Sequence, residues 1–256
     1  MRLPLALLSA ALLLPMAAQA ADRCDYSEPR NLQFDLSGVK AVVFELGSDD
    51  LTIKGVAGGK TGVEGRACSS DRSKLAGLTL TQKRVGDKLV VTADHSDKIG
   101  LNFNGHRYMQ LHATVPETLM VQLKVGSGDA SVENVASLSA DVNSGDIKIN
   151  RVRGLVAASV GSGDIDLDQI GSLQVVRLGS GDLKANGIAG DAKLGSVGSG
   201  DVELRHVGGS VELKRLGSGD LDVNGVRGDL RVASVGSGSV HHRDVGGRVD
   251  VPKDAD

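Results

Sequence analysis

The stretch Leu216-Gly217-Ser218-Gly219-Asp220-Leu221-Asp222-Val223-Asn224-Gly225-Val226-Arg227-Gly228-Asp229-Leu230-Arg231-Val232-Ala233-Ser234-Val235 contains the pattern that decides the fold. Its apolar residues Leu216, Leu221, Val223, Val226, Leu230, Val232 and Val235 follow one another at gaps of 5, 2, 3, 4, 2 and 3. A gap of two puts both side chains on the same side of an extended strand. The Gly, Ser, Asp and Asn between the apolar pairs are turn formers, each with its own physical reason for tolerating a tight bend. The unit therefore reads as two short strands joined by tight turns, one coil of a solenoid. An earlier unit, Val160, Ile165, Leu167, Ile170, Leu173, Val175 and Leu178, repeats the pattern with gaps of 5, 2, 3, 3, 2 and 3.

The corner that opens each unit recurs along the chain. It appears as Gly126-Ser127-Gly128-Asp129, Asn143-Ser144-Gly145-Asp146, Gly161-Ser162-Gly163-Asp164, Gly179-Ser180-Gly181-Asp182, Gly198-Ser199-Gly200-Asp201 and Gly217-Ser218-Gly219-Asp220. A seventh copy, Gly236-Ser237-Gly238-Ser239, has lost the acid. Successive serines lie 17, 18, 18, 19, 19 and 19 residues apart, a drift that small turn insertions produce. Repeated glycine excludes a helical repeat, since each would cost about 1 kcal/mol in a helix interior. The period also falls well short of a propeller blade, which needs roughly 40 residues. The expected fold is all-β: a parallel β-solenoid of about seven rungs of 17–19 residues, following an N-terminal all-β cap. One rung cannot stand alone, because its few aliphatic side chains do not offset the entropy of ordering its backbone. Stacking supplies the inter-rung hydrogen bonds and the continuous core. At ~4.8 Å per rung the stack makes a rod roughly 30 Å long.

The outward residue of the first strand reads Ser131, Lys148, Asp166, Lys184, Glu203, Asp222 and His241 along the rod. Its sign alternates from Lys148 to Glu203, so neighbours in a parallel, in-register stack attract by a few tenths of a kcal/mol per pair. A solvated wall with register-setting pairs accounts for this column; a charged recognition face is the alternative.

Upstream, Leu78-Thr79-Leu80-Thr81 and Leu89-Val90-Val91-Thr92 flank Val85-Gly86-Asp87 and read as a hairpin. Met109 to Val115 alternates as a strand and stops at Pro116; Leu119, Val121, Leu123 and Val125 then alternate directly into the first rung. The expected organisation is a signal peptide over 1–20, a β cap over 21–124 continuous with the solenoid, the Gly-Ser-Gly-Asp solenoid over 125–251 and a polar tail over 252–256. Arg2, the apolar run Leu5 to Leu14 and the small residues Ala18 and Ala20 around Gln19 are the marks of a cleavable export signal. That run is too short to span a bilayer, which takes about 20 apolar residues. No lipid anchor is expected on Cys24, and the tail from Pro252 to Asp256 has no apolar segment. The expected location is the periplasm or the exterior, with no membrane span after cleavage.

An even pair of cysteines in an exported chain favours a Cys24–Cys68 disulfide, with two separate buried thiols as the alternative. The formal net charge of −3 gives no electrostatic reason to expect nucleic acid or an anionic membrane. The aromatics are Tyr26, Phe34, Phe44, Phe103 and Tyr108, so nothing in the repeat offers a stacking platform for sugars or bases.

The run from Val115-Pro116 through Leu123-Lys124-Val125-Gly126-Ser127-Gly128-Asp129, with the Ser-Gly-Asp rungs that follow, resembles the family of putative bacterial adhesins over roughly residues 35–250. The resemblance implies a β-solenoid in an exported or membrane-linked bacterial protein and, by name, adhesion or envelope association. It implies no catalytic residues.

The sharpest chemical feature is the acidic ladder Asp129, Asp146, Asp164, Asp182, Asp201 and Asp220. Neighbouring carboxylates ~4.8 Å apart repel by about 1 kcal/mol in water, so something must compensate. The expected compensation is hydrogen bonds from the amides of each residue's own turn. Calcium bridging between rungs is the alternative, although the corner lacks the residue that calcium-binding nonapeptide rolls place between Gly and Asp. The serine ladder Ser127 to Ser237 is no nucleophile set, because every rung repeats the same serine without a partnered His. His241 and His242 are adjacent on a strand, point to opposite faces and are not expected to chelate one metal. No lysine follows the Gly-rich turns in the pattern of a phosphate loop.

No catalytic residue, cofactor or metal is therefore expected. The reading is a non-catalytic envelope or secreted module that presents strands to a protein or surface partner. Two alternatives stand beside it: calcium-dependent assembly, and a β-helix enzyme acting on polysaccharide. The enzyme should interrupt the repeat with insertions, and the rungs carry none. End-to-end homo-oligomers are conceivable at the open strand edges, which Pro252 and the charged tail would blunt.

Overall fold

The computed structural model describes residues 24–96 and 105–252 and shows the parallel β-solenoid the repeat predicts. The proposed export signal over 1–20 lies outside the described residues. Each rung contributes one strand to each of two walls. On the first wall, Val202–Val207 lies parallel between Leu183–Ile188 and Leu221–Val226, with Leu183, Val202 and Leu221 in register. On the second wall, Val211–Leu216 lies between Ala192–Val197 and Leu230–Val232. The aliphatic pairs of both walls face inward and are buried along the length of the rod.

The three-residue gap in the first strand has a backbone cause. Between Leu204 and Val207 the chain passes through His206 at φ +55°, and this left-handed residue turns the strand so that both flanking aliphatics point into the core. The same conformation recurs one rung apart at Asn134, Arg151, Gln169, Gly187, His206, Gly225 and Asp244. Five of these seven are not glycine, and each accepts a strain of order 1 kcal/mol to keep the bend.

The drift in period has two separate sources. The second wall of the early rungs alternates simply, as in Val156, Ala158 and Val160. From Leu173 onward it carries one extra residue, entering as a register shift opposite Ala158 and Ser159. Val176 is that addition, and its side chain is pushed outward to 58% exposure. The other source is the second corner, where the chain takes one more residue between Val152 and Val156 than between Val135 and Leu138. One, either or both of these single-residue additions reproduce rungs of 18 and 19 from a minimal rung of 17.

The strands before the repeat extend both walls. Asp50–Val56 pairs in parallel with Ala130–Glu133 and with Arg107–Pro116, and Ala41–Leu46 pairs in parallel with Met120–Val125 and with Lys88–His95. The chain thus lays down a middle rung first (41–56), then an outer rung (88–95 and 107–116), and returns to the far side of the middle rung to begin the repeat (120–133). The N-terminal end of the rod is closed by antiparallel strands, Gly62–Ser69 against Arg107–Pro116 and Leu78–Val85 against Lys88–His95. The second of these is the hairpin expected around Val85-Gly86-Asp87. Between them a 3-10 turn, Arg72–Gly77, buries Leu75, and Arg30 ties it down through Leu75 O at 2.6 Å and Leu78 O at 2.6 Å. The Cys24–Cys68 disulfide joins the chain leading into the outermost strand Tyr26–Pro29 to its neighbour Gly62–Ser69. A bridge of this kind typically contributes about 2–4 kcal/mol.

The other end is finished differently. In Val240–Val245, His242 stands in register with Val223 and so occupies the aliphatic column, yet it is exposed, whereas Val240 of the same strand is buried.

Candidate functional site

The repeat places chemistry along the two long edges of the rod, where the corners stack. At the first edge the aspartates do line up, but the amides that bind them are not those of their own turns. Asp129 Oδ1 accepts from Asp146 N at 2.9 Å, Asp146 from Asp164 N at 2.9 Å and Asp164 from Asp182 N at 2.8 Å. Asp182 accepts from Asp201 N at 3.0 Å, and Asp201 from Asp220 N at 2.9 Å. Each carboxylate therefore reaches to the following rung, and the expectation of an own-turn bond is corrected. The inter-rung arrangement offsets carboxylate repulsion with a charge-assisted bond and at the same time fastens one rung to the next. In the seventh corner, where the acid is replaced by serine, Ser239 gives Asp220 both its N–H at 2.9 Å and its hydroxyl at 2.7 Å.

These bonds, the hydroxyl's first and the amide's second, hold the Asp220 carboxyl below its ordinary value, with His241 assisting. A depressed carboxylate contributes stability that is present above its unfolded value of about 4 and is lost as pH falls through the folded one. Ser239→Ala should therefore reduce the drop in urea midpoint between pH 7 and pH 3 relative to the parent. An identical drop in both proteins would remove Ser239 from the titration.

The ladder begins one step earlier than the repeat suggests. Gly47-Ser48-Asp49-Asp50 is a degenerate corner: Ser127 N donates to Gly47 O at 2.8 Å, and Asp129 N lies 3.3 Å from Asp50 Oδ1. Its signal in the sequence was the Gly-Ser and the final Asp, obscured by Asp49 at the place of the second glycine. Asp49 is fully buried; it accepts Met109 N at 2.7 Å, and His95 Nε2 sits 2.8 Å from its Oδ1. Neither Asp49 nor His95 stood out in the sequence.

The second corner repeats the device with a different alphabet. Asp191 Oδ1 accepts Ser210 N at 2.9 Å, Ser210 Oγ accepts Asp229 N at 3.0 Å, and Asp229 Oδ1 accepts Arg248 N at 2.8 Å. Beside it, a chain of side-chain bonds crosses three rungs and ends on His206 of the left-handed column. Asn186 Nδ2 donates to Asp168 Oδ1 at 3.0 Å, and Asn186 Oδ1 lies 2.9 Å from His206 Nδ1.

The other sequence candidates fall into place without forming a reactive centre. The outward column from Ser131 to His241 is in register rung by rung, while the ion pair of Glu203 is made with Arg205 of its own strand. The corner serines serve through their backbones, as where Ser199 N donates to Gly179 O at 3.0 Å. Ser239 Oγ lies 3.2 Å from His241 Nε2, but its proton goes to Asp220, which makes it a bridge and not a nucleophile. Among the described residues no three His, Cys, Asp or Glu side chains come together as a metal site, and no helix is long and apolar enough to cross a membrane.

The fold and its stitched edges define a parallel β-solenoid rod, closed at one end by antiparallel strands. Residues 78–243 match the model of the family described as putative auto-transporter adhesin, head GIN domain, and the chain belongs to that family. The match is narrower than the resemblance over 35–250. No curated protein matches the chain. Solved structures similar to it include a putative adhesin from Bacteroides fragilis, at 17% identity over 88% of this chain and 97% of that one, with a TM-score of 0.47. A putative lipid binding protein from Parabacteroides distasonis aligns at 16% identity over 88% and 94% of the two chains, with a TM-score of 0.47.

Proposed function

We propose that this chain is a rigid, non-catalytic, adhesin-like module that is exported to the periplasm or cell exterior and presents a strand wall to a protein or surface partner. The observation that carries the reading is the unbroken stack. Within the Gly-Ser-Gly-Asp repeat the rungs differ by single residues, and none there carries a loop that could build a pocket of its own. An enzyme on such a scaffold needs one distinctive site, whereas here the same corner chemistry recurs at every level. Membership of the adhesin-like family and the N-terminal export pattern support the same reading. Each edge bond in the stack is local, so the rod holds its shape by nearest-neighbour contacts and can display a long surface.

A photoreactive residue placed in intact cells at Lys184 on the first wall, or at Lys193 on the second, tests this. One wall should give a reproducible adduct with a single envelope component. Scattered adducts with abundant proteins from both positions would overturn the proposal.

A further inference from the structure

The left-handed edge carries a trough that the stacking does not require. It runs along the rod axis beside the left-handed column, has a volume of about 760 Å³ and is lined among others by Gln169, Gly187, His206, Gly225, Arg227 and Asp244. The column alternates a polar side chain with glycine over these rungs: Gln169, Gly187, His206, Gly225, Asp244. Backbone strain does not dictate the two glycines, because Arg151 and His206 adopt the same conformation. Their effect is spatial. A Cβ at 187 would come within 3.9 Å of Gln169 Cγ, and one at 225 within 3.7 Å of His206 Cδ2. Every second level is thereby left open, and Gln169, His206 and Asp244 stand two rungs apart, about 9–10 Å.

His206 is oriented for a purpose its own rung does not explain. Asp168 fixes the Asn186 amide, and the Asn186 oxygen takes the Nδ1 proton of His206, which leaves Nε2 as an acceptor. Two arginines line the trough, Arg153 and Arg227, and Arg227 is the one without an ion pair. Upstream, Arg151 is engaged by Glu133 and Arg153 by Glu117, whereas Arg227 has no ion-pair partner among the described residues. The floor offers no backbone donor, because Ala189 N, Gly208 N and Arg227 N are spent on the rung below at 2.9, 2.7 and 3.0 Å. Recognition falls to side chains repeating along the axis.

We propose that this trough binds an acidic polysaccharide lying along the rod. A carboxylate is held by Arg227, a hydroxyl donates to His206 Nε2, and Gln169 and Asp244 accept from hydroxyls of neighbouring units. A two-rung period is close to the length of a disaccharide unit, and the Gly and Ala floor lets a flat sugar chain approach closely. A peptide lying along the axis would run across the strands and find no free backbone donor there to pair with its carbonyls. With no aromatic platform in the repeat, the charge on Arg227 takes over the role that stacking has in neutral-sugar clefts. The proposal rests on the adhesin-like reading and gives it a ligand.

Calorimetry on the full chain with hexasaccharides of galacturonate, mannuronate and hyaluronan, and with neutral maltohexaose, tests it. At least one acidic oligomer should bind, with affinity falling as salt rises, and maltohexaose should not. Arg227→Ala should weaken binding at least tenfold. Ala189→Gln, at an exposed position in the trough that already carries a Cβ, should block it while leaving the melting temperature unchanged. Failure of all three acidic oligomers, equal binding of maltohexaose, or indifference to both variants would overturn the proposal. So would equal competition by poly-glutamate, which would mark a general anion surface. A reproducible wall-specific crosslink persisting through such a failure would leave the adhesin-like reading in place.

Discussion

Gly200→Ala should be among the most damaging single substitutions in the rod, lowering stability by about 3 kcal/mol or more. A Cβ built at Gly200 lies 1.6 Å from the carbonyl oxygen of Gly181, one rung below, and 2.5 Å from its carbonyl carbon. The obstacle is backbone, so no side chain can swing aside. The corners must separate, and in separating they break the bond from Asp201 N to Asp182 Oδ1 and strain the ladder on both walls. The same column is glycine at 128, 145, 163, 181, 219 and 238, with hypothetical Cβ-to-oxygen distances of 1.8 to 2.3 Å. Close stacking thus demands glycine at this place in every corner of the repeat. The urea midpoint of Gly200→Ala against Gly58→Ala checks this, since a Cβ at Gly58 meets nothing within 4 Å and should change stability by less than about 0.5 kcal/mol. Equal midpoints for the two variants would mean that the corner spacing is looser than described.

Asp49→Ala should cost about 3 kcal/mol, and it should do so at the N-terminal end. The substitution leaves the buried Met109 N–H without its acceptor and takes the carboxylate away from His95. Asp49→Asn keeps an acceptor for Met109 and should lose markedly less. Amide hydrogen exchange separates this from a general weakening: Met109 should lose protection in Asp49→Ala, while Leu213, deep in the repeat, keeps it. Equal protection at Met109 in the parent and in Asp49→Ala would show that the buried carboxylate does not hold the outer rung.

Much of this architecture is readable one residue at a time. The spacing of Leu221, Val223 and Val226 announces two inward side chains and a bend, and the recurrence of Gly-Ser-Gly-Asp announces stacking. Both are local consequences of strand geometry and turn chemistry, so they survive without knowledge of the neighbours. The cysteine pair was legible for a similar reason, because only two thiols exist to be joined. Less legible was anything that depends on which rung lies next to which. The corner at Gly47 is 79 residues from the corner it stacks beneath, at Gly126, and Asp49 masks its pattern. Periodicity gives no hint that the rung of residues 41–56 lies between two rungs that come later in the chain. The alternation of Gln169, Gly187, His206, Gly225 and Asp244 is plain once the left-handed column is known. Before that, these residues differ in type and share no motif.

The chain alone determined that the molecule is a stack of short parallel coils with acids at one edge, since strand period and turn-forming residues act within a few positions of themselves. Tertiary structure decided where each aspartate sends its bond, how the N-terminal rungs interleave and which polar side chains share the trough. These are contacts between residues 17 to 79 positions apart, and the distance along the chain says nothing of which partner closes them.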